Sequence, residues 1–263
     1  MENKKFLKVG DTVTIKRKTE GLDYDLEAGK VYQLCIDRWG DNIFFKLVDN
    51  LNLPSKVYAT KDEESFIEKV LTRYEQQSTG VLGVMLSGLK GSGKTVMAKQ
   101  IAVKSNLPII IIDKGFSPRK LAELFQDLNE TEACFLFDEI DKIGEDYDDT
   151  FLLQVLDGAN TTGKKLMLFT CNDEGEINDC LVDRCSRIRY WKEFSELSAS
   201  MIQKVLDDIL EDKDEAKPLT DFIQENFGCV SFDNIVSFAH EVNSYPNDTY
   251  EDLFKDMNLS TKE

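Results

Sequence analysis

The sequence predicts an α/β chain: a parallel sheet sandwiched by helices, with a small N-terminal β domain and a C-terminal helical lid. Three observations predict it. Short alternating runs fill residues 1–58, apolar strands alternate with helical segments over 59–192, and only helical spacing remains over 193–263. Apolar strands that alternate with helices imply βαβ units and a sheet covered on both faces.

In the first segment Asp11–Lys18, Lys30–Trp39 and Asn42–Asp49 alternate in the manner of strands. Ser55–Thr60 follows as another strand. Gly21, Gly29 and Gly40 punctuate them as turns, which suggests a compact barrel or curled sheet. Asp62–Gln77 then places Phe66, Ile67, Val70, Leu71 and Tyr74 on one helical face. Strands follow at Val81–Ser87, Leu107–Asp113, Ala133–Asp138 and Lys165–Cys171. Helices fall between them at Lys94–Ser105, Pro118–Asn129 and Thr150–Leu156. The last segment reads as helices over Ser195–Glu211, Leu219–Phe227, Ser231–Val242 and Tyr250–Met257, broken by Pro218, Gly228 and Pro246.

The 263 residues are 41% hydrophobic and 31% charged, as in a folded globular chain. No apolar run approaches the roughly 20 residues of a membrane span, and no apolar stretch follows Met1 to mark a secretory leader. A cytoplasmic protein is expected, in the host cytoplasm if viral. The net charge is −17, and residues 193–263 alone carry 5 basic and 17 acidic groups. Such a balance disfavours a direct nucleic-acid ligand, which needs a cationic face, and suits a solvated surface or a basic partner. The basic run Lys16-Arg17-Lys18 is too small to change that. The six cysteines form no CxxC pair and His240 is the sole histidine, so a structural zinc or a His-based nucleophile is not expected.

The strongest motif is Gly88-Leu89-Lys90-Gly91-Ser92-Gly93-Lys94-Thr95, which matches GxxxxGK[ST] between a strand and a helix. Glycines let backbone N–H groups turn inward around phosphate oxygens, and the helix adds its N-terminal dipole. Lys94 is expected to reach the β- and γ-phosphates of ATP, and the Thr95 hydroxyl to ligate Mg²⁺. A second motif, Cys134-Phe135-Leu136-Phe137-Asp138-Glu139, is an apolar strand ending in two carboxylates. Asp138 is expected to hold the metal, and Glu139 to activate the attacking water.

With these motifs the expected fold is that of a P-loop NTPase, and the chain resembles the AAA+ ATPases, in particular their AAA subgroup. Lys164–Asn172 resembles the sensor 1 strand, which makes Asn172 the residue that helps place the lytic water. Ile177–Arg189 is similar to the segment that carries arginine fingers, and Arg184 and Arg187 match its two arginines. Cys185 and Ser186 stand where the family usually has Pro and Gly. A finger that comes from the neighbouring subunit implies a homo-oligomeric ring, expected to be a hexamer.

The helical C-terminal part resembles the family's lid. It has no arginine after Arg189, hence no second sensor arginine, and Ser231–Ile235 stands where relatives begin that helix. Phe116 takes the place of the aromatic that lines the pore in unfoldases, and Gly144–Asp149 that of a second, acidic pore loop. The compact chain resembles bacteriophage-type members. The implied function is a Mg-dependent ATPase that remodels or translocates a protein partner or takes an adaptor. A nucleic-acid-linked accessory factor (loader or replication type) and an ATP-dependent assembly scaffold are the alternatives.

Overall fold

In the computed structural model, residues 5–16, 25–37, 42–113, 116–140, 142, 156, 162–172 and 187–262 are described. The helix expected at 150–156, apart from Leu156, and the acidic loop 144–149 lie outside them. The chain divides into two compact units. The first comprises Met1–Ser55, Asp62–Ser87 and Thr95–Glu193. The second comprises Lys56–Lys61, Gly88–Lys94 and Phe194–Glu263.

Nine described strands form one sheet. They are β1 (Lys5–Val9), β2 (Thr12–Lys16), β3 (Val31–Ile36), β4 (Ile43–Val48), β5 (Val81–Gly88), β6 (Ile109–Ile112), β7 (Ala133–Phe137), β8 (Lys165–Thr170) and β9 (Ile188–Phe194). Their order is β1-β2-β4-β3-β6-β7-β8-β5-β9. The centre is parallel: β6 with β7, β7 with β8, and β8 with β5. All five residues of β7 and all six of β8 are buried, as covered faces require.

The N-terminal strands do not close on themselves. β1 and β2 form one antiparallel hairpin and β3 and β4 another, joined edge to edge by β2 and β4, and β3 then pairs in parallel with β6, with Val31 beside Ile109 and Gln33 beside Ile111. The segment expected as a compact barrel or curled sheet is thus continuous with the central sheet and not a closed barrel. The free edge of β3 meets the edge of β6, and edge strands gain most by being paired. Phe6, Val13, Tyr32, Leu34 and Phe45 join the same core as Phe135, Phe137, Met167 and Phe169. β1 and β9 are strands where none was expected, whereas Ser55–Thr60 is irregular.

Helix α1 (Lys61–Gln76) begins with Asp62, Glu63 and Glu64, which suit the positive end of the helix dipole, and buries Ile67, Val70 and Tyr74. Helix α2 (Lys94–Lys104) follows β5. Helix α3 (Pro118–Asp127) is capped by the Ser117 hydroxyl, which accepts from the Lys120 N–H, and carries proline in its first turn, where no N–H is needed. Leu121, Leu124 and Phe125 form its buried face.

Lys165, the first residue of β8, is fully buried. Its ammonium donates to the carbonyls of Gly163 at 3.1 Å and Asn129 at 3.4 Å. Burial pushes its pKa down from 10.5 to about 8, with Glu132 opposing. Between those values the unfolded chain binds more protons than the folded one, so this residue adds stability as pH rises from 8 and imposes its full penalty below. A Lys165→Met variant lacks the penalty at every pH. Its melting temperature relative to the parent should therefore be highest near pH 7 and fall toward pH 10. Thermal melts at pH 7, 8.5 and 10 that show a constant difference would contradict this.

The second unit holds four α-helices among its described residues: α4 (Ala199–Ile209), α5 (Ala216–Asn226), α6 (Phe232–Ser244) and α7 (Tyr250–Asp256). Ser198, Ser231 and Thr249 cap three of them. Helix α5 starts three residues before the predicted Leu219, because Pro218 falls in its first turn rather than breaking it. Its own core includes Ile202, Leu206, Leu219, Phe227, Phe238 and Leu253.

Candidate active site

The loop between β5 and α2 is built from residues that only this backbone requires. Gly88 has φ +115°, and a Cβ there would lie 2.1 Å from the Phe194 carbonyl oxygen. Gly91 has φ +76°, and its Cβ would lie 2.5 Å from that of Ser231. L-residues avoid this region, and the close approaches exclude even alanine. The Gly91 carbonyl also accepts from the Phe232 N–H, the first of α6 (3.2 Å). The Ser231–Ile235 segment thus does begin a helix, and that helix starts on the loop. Lys94 is 5% exposed, and its ammonium donates to the carbonyls of Gly88 (2.7 Å) and Leu89 (2.6 Å). The Ser92 hydroxyl donates to Leu89 O at 2.7 Å. Lys90 is exposed, and Leu89 is 49% exposed.

In the first unit, Thr95 opens onto the carboxylates at the end of β7. The Thr95 hydroxyl donates to Asp138 Oδ1 at 2.7 Å, and the Thr170 hydroxyl donates to the same oxygen at 2.6 Å. Glu139 adopts φ +53°, in the left-handed region, and its N–H donates to Thr170 Oγ1 at 2.8 Å. Asn172 Nδ2 donates to Glu139 Oε1 at 3.2 Å. Lys142 forms an ion pair with Glu139 Oε2. Both partners of that pair are at least one-third exposed, so it contributes only about 0–1 kcal/mol and is no lock.

Thr95 thus meets Asp138, and Asn172 meets Glu139, at the end of β7. Thr170 and Lys142 are additions. Thr170 was visible only as a polar residue closing the apolar run Leu166–Phe169, and Lys142 as a cation three residues after Glu139.

Two expectations fare differently. Phe116 is 5% exposed and belongs to the core cluster with Leu121, Phe125 and Phe137. The ring is committed to packing, which corrects its expected place on a pore loop. Arg184 lies outside the described residues, as do Lys114 and Gly115 beside Phe116. Arg187 sits just before β9, its carbonyl against Gly83 of β5. Asp138 is level with Leu86 of β5 through the β7–β8–β5 register. Three residues along the strand and three strand spacings put Arg187 on the order of 17 Å from Asp138. That exceeds the reach of one arginine side chain.

Residues 84–193 match the family model described as "ATPase family associated with various cellular activities (AAA)". Over these residues the chain is thus similar to the AAA ATPases.

Among curated relatives, the mitochondrial inner membrane m-AAA protease component AFG3L2 of Mus musculus is 31% identical over 122 residues, 38% of this chain and 15% of that protein. The 26S proteasome regulatory subunit 10B homolog A of Arabidopsis thaliana is 34% identical over 122 residues, 38% of this chain and 31% of that protein. The ATP-dependent zinc metalloprotease FtsH of Rhodothermus marinus is 28% identical over 166 residues, 59% of this chain and 24% of that protein. The chain therefore spans less than a third of each of these relatives. A solved structure from work on the structural basis of katanin self-assembly superposes with a TM-score of 0.52 at 18% identity. That match covers 77% of this chain and 75% of that one, and it shows a shared fold. No described helix is long and apolar enough to cross a membrane.

Proposed function

We propose that this AAA+ chain is a Mg²⁺-dependent ATPase that works in the cytoplasm as a ring of identical copies, expected to be six, and remodels or moves a protein partner. The observation that carries this reading is the junction of Thr95, Asp138, Glu139 and Asn172, whose hydroxyl, carboxylates and amide suit the hydrolysis of a phosphoanhydride. Residues 88–95 are proposed to hold the triphosphate. Their left-handed glycines leave no Cβ in the way, and Lys94 supplies the cation.

The donor set suits Mg²⁺, which takes one or two protein oxygens and completes its shell with water and phosphate. The Thr95 hydrogen is directed to Asp138, so the oxygen lone pairs of Thr95 are left to the metal, and Asp138 supplies the charge. When bound, Mg²⁺ neutralises charge that develops on the phosphates. Glu139 is the proposed base for the water, held by the Asn172 amide, which can also face the γ-phosphate.

Arg184 and Arg187 are proposed to act on the site of the adjoining copy. The distance of Arg187 from Asp138 in its own chain supports that. A protein partner is favoured because relatives named as proteases and a proteasome subunit share this module, and because the chain's net charge of −17 opposes nucleic acid.

The test is phosphate release with and without Mg²⁺, alongside light scattering in ATP. Mg²⁺-dependent turnover by a multi-subunit species is expected. A monomer without turnover in saturating Mg-ATP overturns the proposal.

A further inference from the structure

We propose that Thr170 is a positioning residue that sets both acidic side chains of the site from one buried hydroxyl. The inference rests on the ATPase reading above. Its geometry is specific. A hydroxyl has one hydrogen, and that of Thr170 goes to Asp138 Oδ1 at 2.6 Å. Its oxygen therefore remains an acceptor, and it takes the Glu139 N–H at 2.8 Å. The side chain thus bridges the carboxylate of one acid and the backbone of the next.

Three further facts give that bridge consequences. First, Thr170 is 1% exposed, so water does not compete for either bond. Second, Thr95 and Thr170 both donate to Oδ1, so neither hydroxyl uses Oδ2 of Asp138. Two donors on one oxygen fix the plane of the carboxylate, and with it the direction of the other oxygen. Third, Glu139 holds φ +53°, which a residue with a side chain seldom adopts unaided. The bond from its N–H to Thr170 anchors the peptide just before that angle, and so fixes where the Glu139 side chain starts. Backbone register explains why residue 170 can do this: Phe169 pairs with Phe137, which puts the next residue of β8 beside Asp138.

A merely structural threonine replaced by valine, which has the same shape but no hydroxyl, would lose stability and keep its kcat. A positioning one would lose kcat as well, because misplacing a base by an ångström costs about 10²-fold in rate. The experiment compares the full-length parent with Thr170→Val and Thr170→Ser, measuring kcat, KM for ATP, melting temperature and binding of a fluorescent ADP analogue. The valine variant should lose about 30- to 100-fold in kcat, with nucleotide affinity within about threefold of the parent. The serine variant, which keeps the hydroxyl, should stay within about tenfold of parental kcat.

The proposal is overturned if valine retains kcat within threefold, if the loss is confined to KM, or if serine falls as far as valine. Should the valine protein not fold, a serine variant that loses about 30-fold or more in kcat while keeping the parental melting temperature overturns the proposal by itself. A parent without turnover removes the ATPase reading and this proposal together. An active parent with an equally active valine variant removes this proposal alone.

Discussion

Glu139→Gln should abolish most turnover, lowering kcat by about 10²- to 10³-fold, while ATP still binds. Glutamine has the shape of glutamate and can still accept the Asn172 amide hydrogen seen on Oε1, but it cannot take a proton from water. The Lys142 ion pair is lost as well. That pair is exposed and worth at most about 1 kcal/mol, so the fold should be unaffected. Steady-state phosphate release gives the rate, and equilibrium binding of labelled ATP gives the affinity. A variant that turns over like the parent would remove Glu139 from the role of base. One that no longer binds ATP would recast it as a ligand-holding residue.

The second large effect concerns the arginines. A double Arg184→Ala, Arg187→Ala protein is expected to lose about 10³-fold or more in kcat, the magnitude associated with an arginine finger. The informative step is mixing. Subunits that lack the arginines keep a complete acidic cluster, and Glu139→Gln subunits keep the arginines. If the guanidinium groups act on the adjoining copy, a mixture regains turnover at interfaces where an intact Glu139 meets an intact arginine. Neither protein alone does so. If the groups act within their own chain, mixing restores nothing. The register that holds Arg187 well away from Asp138 of its own chain predicts recovery.

The phosphate loop and the acidic pair were legible because each needs residue types that few other structures need together. Left-handed turns demand glycine, and an apolar strand seldom ends in two carboxylates without a use for them. The pairing of β3 with β6 was not legible. Alternation in Val31–Ile36 tells which side chains face inward, but not which strand lies at either edge. Phe116 was ambiguous for a related reason. An aromatic residue in a loop reads the same whether it is displayed or packed, and only the surrounding core decides. Pro218 misled because its effect depends on position: harmless in a first turn, disruptive later. Thr170 carried almost no signal, since its partners lie 31 and 32 residues away in sequence.

The continuous sheet also changes what truncation would mean. An appended module can be trimmed away at a linker, leaving its host intact. Here the first 55 residues are stitched to the rest of the first unit by the backbone bonds between β3 and β6. Cutting them off would bare the flank of β6, an invitation to misassembly, and would strip cover from the aromatic core beneath Tyr32 and Phe45. Whatever grips or tugs on that front portion therefore pulls on the same woven panel that carries the acids.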